Sequence, residues 1–168
     1  MLSISRLSTS SAGNWPGVEA LLRWHHPKWG AIISPASFME EAESSDILVE
    51  VTEFVMNTAV AEMSRRLPAI PLRISVNVAP ADLERKGFVT QIGTLADGLP
   101  AGVSLVLELT ERFLLGESAR TAAIFDSLRA KGVRFAIDGF GTHNSNLDLL
   151  GRFRFRLCGN PIKLQCDA

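Results

Sequence analysis

The chain has little cysteine, no excess of charge and no long apolar run, and each shortage removes a class of function. Cys158 and Cys166 are its two cysteines, with no His or Cys partners at zinc spacing. They read as free thiols of a cytoplasmic protein, not as a disulfide framework or a structural zinc site. Lys and Arg total 17 and Asp and Glu total 18, for a formal net charge of -1. That balance supplies no electrostatic attraction to a nucleic-acid polymer or an anionic membrane. No apolar stretch approaches the roughly 18 residues that a spanning helix needs. The opening "MLSISRLSTSSAGN" has no apolar segment of a secretion signal. What is present is 168 residues, 46% of them hydrophobic, which suits one globular domain with a core of its own.

Local patterning divides the chain further. Residues 1–16 are Ser-rich and without periodicity, which predicts an irregular segment. "GVEALLRW", Gly17 to Trp24, is an apolar stretch broken by Glu19 and Arg23 and begins the ordered part. Ser34 and Pro35 have the chemistry of a helix N-cap and first helical position. From Asp46 onward Ile47, Val51, Phe54, Val55, Ala59 and Met63 recur at three and four residues, the period of a helix, which Pro68 and Pro71 close. "LRISVNV" (Leu72 to Val78), "VSLVLELT" (Val103 to Thr110) and "VRFAIDGF" (Val133 to Phe140) read as strands. A helix is predicted between Pro80 and Ala96, another from Glu117 to Lys131 capped by Gly132, and a short one over Asn144 to Leu150. Strands that are mostly apolar, alternating with helices, predict a parallel sheet with helical crossovers. The Gly-rich turn that an open doubly wound sheet carries after its first strand is missing.

Polar residues fall at repeated places in this frame. Asn77, Glu108 and Asp138 each lie near the carboxyl end of a predicted strand, the edge where a β/α barrel builds its active site. Glu19 interrupts the first apolar segment. An unpaired buried carboxylate would cost several kcal/mol or take up a proton. A cation shared by these four removes that cost. Asn with carboxylates, lacking His and Cys, suits Mg²⁺ or Mn²⁺ better than zinc. Each residue has a plainer reading too. Glu19 can pair with Arg23, Asn77 can end its strand by bonding the next turn, Glu108 and Glu111 can cap the following helix, and Asp138 before Gly139 can form a turn.

In order and spacing, "GVEALLRWHHP", "SVNVAPADL", "LELTER" and "FAIDGFGT" resemble the motifs of EAL domains. The resemblance runs from about Gly17 to about Phe155. It implies a TIM-like (β/α) barrel, a divalent-metal site with Mg²⁺ or Mn²⁺, and hydrolysis of cyclic di-GMP to the linear dinucleotide pGpG. It implies Glu19, Asn77, Glu108 and Asp138 as metal ligands, Arg23 as a contact to substrate phosphate, and Glu111 as the residue that steadies the loop after Asp138. A homodimer formed beside that loop, or a protein partner, is also in keeping with the family.

The chain departs from the family pattern in three places. Gly139 stands where the family has the second Asp of a pair that helps hold a second metal. The following loop reads Gly141-Thr142-His143-Asn144-Ser145-Asn146, with His143 read as a solvent-facing loop residue. The strand with the family's Lys-Ile-Asp motif and the later Glu have no counterpart, and Lys163 lies in unrelated context, so no catalytic residue is assigned. A full barrel takes about 250 residues. The expected fold is therefore an incomplete TIM-like (β/α) barrel lacking its C-terminal strands, with open sheet edges prone to self-pairing. The domain plan is residues 1–16 irregular, 17–155 a partial EAL domain and 156–168 a tail outside the family. Both ends also read as shifted in frame. Ser3 to Pro16 can be encoded so that a start two bases later gives Tyr-Gln-Pro-Ile-Val-Asp-Leu-Val-Ser-Gly-Lys-Leu-Ala, the peptide that precedes the Glu-Ala-Leu motif in the family. The functional expectation is an impaired or inactive cyclic di-GMP phosphodiesterase. The alternatives are a non-catalytic nucleotide- or protein-binding domain and a decayed gene fragment.

Overall fold

A computed structural model describes residues 2–10, 17–34, 37–38, 47–66, 71–110, 119–138, 156–157 and 163–166. Residues 2–10, 138, 156–157 and 163–166 enter as backbone alone. Four strands form the parallel centre: β2 (Gly17–His25), β4 (Leu72–Asn77), β5 (Val103–Thr110) and β6 (Arg134–Asp138). Helix α1 (Ile47–Arg66) crosses from β2 to β4. Helices α2 (Pro80–Glu84) and α3 (Phe88–Asp97) cross from β4 to β5, and α4 (Ala119–Arg129) from β5 to β6. This is the α/β arc of an incomplete TIM-like barrel, as expected.

Antiparallel strands cover both margins of that centre. The sheet order is β1-β2-β4-β5-β6-β8-β7, where β1 is Leu2–Ser10, β7 is Arg156–Leu157 and β8 is Lys163–Cys166; β3 (Ile32–Ile33) pairs with β2 off this path. The expected irregular segment over 1–16 is thus corrected: Leu2–Ser10 is a strand, antiparallel to β2, with a register shift between Ile4 and Leu7. The outer N–H and C=O groups of β2 need partners, and ladder pairing of a weakly patterned segment satisfies them. The open edge expected beyond β6 is likewise paired, by β8 and then β7. The predicted helix over Asn144 to Leu150 and the helix start at Pro35 lie outside the described residues, as do Glu111, Gly139, His143 and Cys158.

The central strands are buried on both faces, β5 without a break from Leu105 to Leu109, but polar residues fall on one face only. Ile74, Val76, Val78, Leu105, Leu107, Leu109, Phe135 and Ile137 are buried on the face that the helices cover. Residues one step out of phase form the other face, which holds Glu19, Arg23, Arg73, Ser75, Asn77, Ser104, Glu108, Thr110 and Arg134 beside Leu21, Val106 and Ala136, with the Asp138 position at its upper edge. Period-two alternation of this kind places one set of side chains in the core and the other in the barrel interior.

Packing accounts for the helix boundaries. Along α1 the buried stripe is Leu48, Val51, Val55, Ala59 and Met63, joined by Met56 and Val60, while Ile47 is 60% exposed; the inward face begins one residue later than periodicity predicts. The single predicted helix between Pro80 and Ala96 is two, broken at Gly87, whose φ of 84° is left-handed and suits glycine. Gly132 (φ 78°) ends α4 as predicted, and Val133 N–H donates to Leu128 O at 3.1 Å. Phe125 from α4 stacks on Phe135 from β6 with centroids 4.1 Å apart, both fully buried. Each such ring contributes roughly 1.5–3 kcal/mol by burial.

Candidate metal-binding face of the sheet

Register brings the four sequence-selected donors to one face. In the parallel pairs Glu19 is opposite Ser75, and Asn77 is opposite Glu108, which in turn is opposite Ala136. Residues opposite one another share a face, and so do residues two apart on one strand. Asn77 therefore shares the face of Glu19 through Ser75, and Asp138 shares that of Glu108 through Ala136. The four form a staircase across β2, β4, β5 and β6. It climbs one layer from Glu19 to Asn77 and Glu108, and a second to Asp138.

Asn77 is the common neighbour. Its Nδ2 donates to Glu19 Oε1 at 3.1 Å, across 58 residues of sequence. The amide thus bonds a carboxylate on the next strand, not the turn that follows it. Glu108 lies inside β5 with 3% of its surface exposed, so the reading of it as a helix cap is corrected: it belongs to the sheet. Arg23 is on the Glu19 face of β2, but four extended residues separate their Cα atoms by about 13 Å. Arg23 Nη1 donates to Leu22 O at 2.7 Å, which holds the guanidinium at the strand's carboxyl end.

Register also places a residue that sequence reasoning set aside. Lys163 is opposite Asp138 in the antiparallel β6–β8 pair, and Gln165 is opposite Ala136. A cationic residue therefore occupies the position across from the last acid of the staircase. No motif marks it, because the contact depends on a chain reversal between β6 and β8. Two further groups lie near the same edge. Trp24, His26 and Trp29 pack in series, with His26 stacked on Trp29 at 4.0 Å and Trp29 71% exposed. Asp82 is fully buried just beyond β4; burial pushes its carboxyl above the usual range, against the opposing effects of the Ala79 N–H, the Thr52 hydroxyl and Arg85.

The donors suit a hard cation. Glu19 and Asn77 are within hydrogen-bond distance, Glu108 is in register beside Asn77, and oxygen donors without His or Cys match magnesium-like ions. Turning the Asn77 amide over presents Oδ1 where Nδ2 now lies, and a bound cation would select that orientation. Among the described residues no three His, Cys, Asp or Glu side chains form a metal-sized group.

Comparison with known proteins identifies the family. The family profile described as EAL domain matches residues 7–158. The chain is 35% identical over 136 residues to the Pseudomonas aeruginosa cyclic di-GMP phosphodiesterase PA2567, covering 80% of this chain and 23% of that protein. It is 39% identical over 141 residues to the Escherichia coli probable cyclic di-GMP phosphodiesterase PdeN, covering 82% of this chain and 27% of that protein. The structure of the PaMucR phosphodiesterase in complex with c-di-GMP superposes with a TM-score of 0.77 at 31% identity, covering 90% of this chain and 63% of that one. The chain thus spans about a quarter of the length of these two curated relatives.

Proposed function

The chain belongs to the EAL domain family, and from that premise we propose that its polar sheet face is a divalent-cation-dependent site for cyclic di-GMP with impaired turnover. The observation that carries the reading is the Asn77–Glu19 bond at 3.1 Å with Glu108 in register beside it. Glu19, Asn77, Glu108 and Asp138 would hold Mg²⁺ or Mn²⁺. When bound, such an ion polarises phosphoryl oxygens and lowers the pKa of water.

The chain's own residues supply the rest. Glu19 and Glu108 concentrate negative charge on the face, and Asn77 sets the spacing between them. Arg23 keeps its guanidinium at the rim, with N–H donors besides the one given to Leu22 O for a phosphate oxygen. Burial of Glu108 limits water on that side and strengthens its field. Glu111 would steady the loop that follows Asp138. Gly139 brings no side-chain carboxylate where the family has a second acid, and losing one charge-stabilising group of this kind costs roughly 10²–10³-fold in rate. A homodimer or a protein partner remains part of the reading through family membership alone.

The test is incubation of the full chain with cyclic di-GMP and Mg²⁺ or Mn²⁺, with linear product quantified by chromatography and binding measured by calorimetry. Binding with slow or absent hydrolysis is expected, and Gly139→Asp should raise turnover at least ~10-fold. Binding that Gly139→Asp leaves unproductive favours a purely nucleotide-binding domain. No binding of either ion or nucleotide removes the proposal.

A further inference from the structure

We propose that Asp82 is a positioning residue that holds the end of β4 so that Asn77 stays within reach of Glu19. The inference rests on the reading of Asn77 as part of the cation site. Asn77 is the last residue of β4 and is exposed, so burial of its own side chain does not locate it. Its position depends on the two residues after it. Val78 N–H donates to Glu108 O at 2.9 Å, which ties the chain to β5. Ala79 N–H donates to Asp82 Oδ2 at 3.0 Å, and Asp82 N–H returns a bond to Ala79 O at 3.1 Å. The same Oδ2 accepts the Thr52 hydroxyl of α1 at 3.1 Å. One carboxylate oxygen therefore joins α1, the end of β4 and the start of α2.

Helix capping alone does not explain a group in this place. Capping is worth about 1 kcal/mol, and an exposed acid supplies it equally well. Asp82 is fully buried, and its Oδ1 has no hydrogen-bond partner among the described residues. Such burial is costly. The neighbouring packing shows what the anchor compensates. A cavity of about 240 Å³ lies between β2 and α1, lined by Leu21, Leu48, Thr52, Val55 and Asn77 among others. Apolar contact is incomplete on the side where β2 and the end of β4 must keep their distance. A polar link through Thr52 and Asp82 sets the position that side-chain packing leaves loose. The Arg85–Glu53 ion pair at 2.8 Å lies beside the link and braces α1 against the chain after α2.

The test compares wild type, Asp82→Leu and Asp82→Asn as full chains, with Leu128→Ala on α4 as a destabilised control. Amide hydrogen exchange at Val78 and Ala79 is read against that of α4, and Mn²⁺ affinity is measured by calorimetry. Asp82→Leu should speed exchange at those two amides ~10-fold or more without a matching change in α4, and should weaken Mn²⁺ binding roughly 10–100-fold. Asp82→Asn keeps an acceptor for Ala79 and should restore both to within ~3-fold of wild type. Leu128→Ala should speed exchange throughout and leave the affinity of the folded fraction unchanged. The proposal is overturned if Asp82→Leu leaves Val78 and Ala79 protected, or if exchange rises uniformly as in the control. If Asp82→Leu does not fold, Thr52→Val removes the α1 donor at constant volume and must produce the same local exchange. Failure of the wild type to bind Mn²⁺ overturns the cation reading, while the exchange measurements still decide the role of Asp82.

Discussion

At Asn77 a single amide spans the gap between two strands, and its loss should separate function from stability. Asn77→Ala removes the bond to Glu19 at an exposed position. We expect a stability change of about 1 kcal/mol or less by denaturant titration, together with a loss of Mn²⁺ affinity on the order of tenfold or more by calorimetry. Asp82 yields a pH prediction whose sign follows from its environment. Burial raises its carboxyl pKa above the unfolded value of 3.8, with Arg85 and the hydrogen bonds from Ala79 and Thr52 opposing and Glu53 adding to the rise. Between the unfolded and folded pKa values the native state binds more protons, so the stability Asp82 contributes is fully present below pH 3.8 and falls as pH rises through the folded pKa. Against Asp82→Asn, which does not titrate, the wild type should lose relative stability as the medium passes from acid toward neutral. Urea titrations at a series of pH values check this; a difference independent of pH contradicts it.

The elements owe their boundaries to backbone geometry and to one apolar layer. At Gly132 a side chain would meet nothing within 4 Å, so the cost of Gly132→Ala is purely that of the left-handed φ of 78°. It should be about 1–2 kcal/mol by thermal or denaturant unfolding. Phe125 is the point at which α4 meets β6. Phe125→Ala should lower stability by about 3–5 kcal/mol, enough to take much of the margin of an ordinary domain. Both elements were legible beforehand. Gly132 stands where periodic residues stop, and Val103–Thr110 was delimited to the residue as a run of strand-forming residues after the Gly102 turn. The division of Pro80 to Ala96 into two helices was not legible. The break depends on Gly87 adopting a left-handed turn, which composition permits but does not require.

For the whole molecule the decisive feature is a sheet polar on one face and apolar on the other. All four helices contribute buried residues to the apolar face, α2 through Leu83 alone. The polar face collects residues from four strands widely separated in sequence. Among the described residues no helix is long and apolar enough to cross a membrane. Among the described residues the sheet ends at β1 on one side and β7 on the other. Edge strands with unpaired backbone groups associate through main-chain bonds, which salt screens weakly. Size-exclusion chromatography with light scattering should therefore detect association that rises with protein concentration and persists at high salt. A monomer at all concentrations would count against exposed edges on this chain.

Much of the candidate site was readable one strand at a time. Glu19, Asn77, Glu108 and Asp138 announced themselves as polar residues at set places in apolar strands, and the family motifs agreed with that choice. The sequence by itself determined the order of the parallel strands and their crossover helices and picked out these four candidate residues, because hydrophobic period and turn chemistry act over a few residues. Only the tertiary structure decided their register, the Asn77–Glu19 bond, the position of Lys163 opposite Asp138 and the threefold link through Asp82. Those contacts join segments tens of residues apart, and the ladder pairing and packing that select them exist only once the chain has closed on itself.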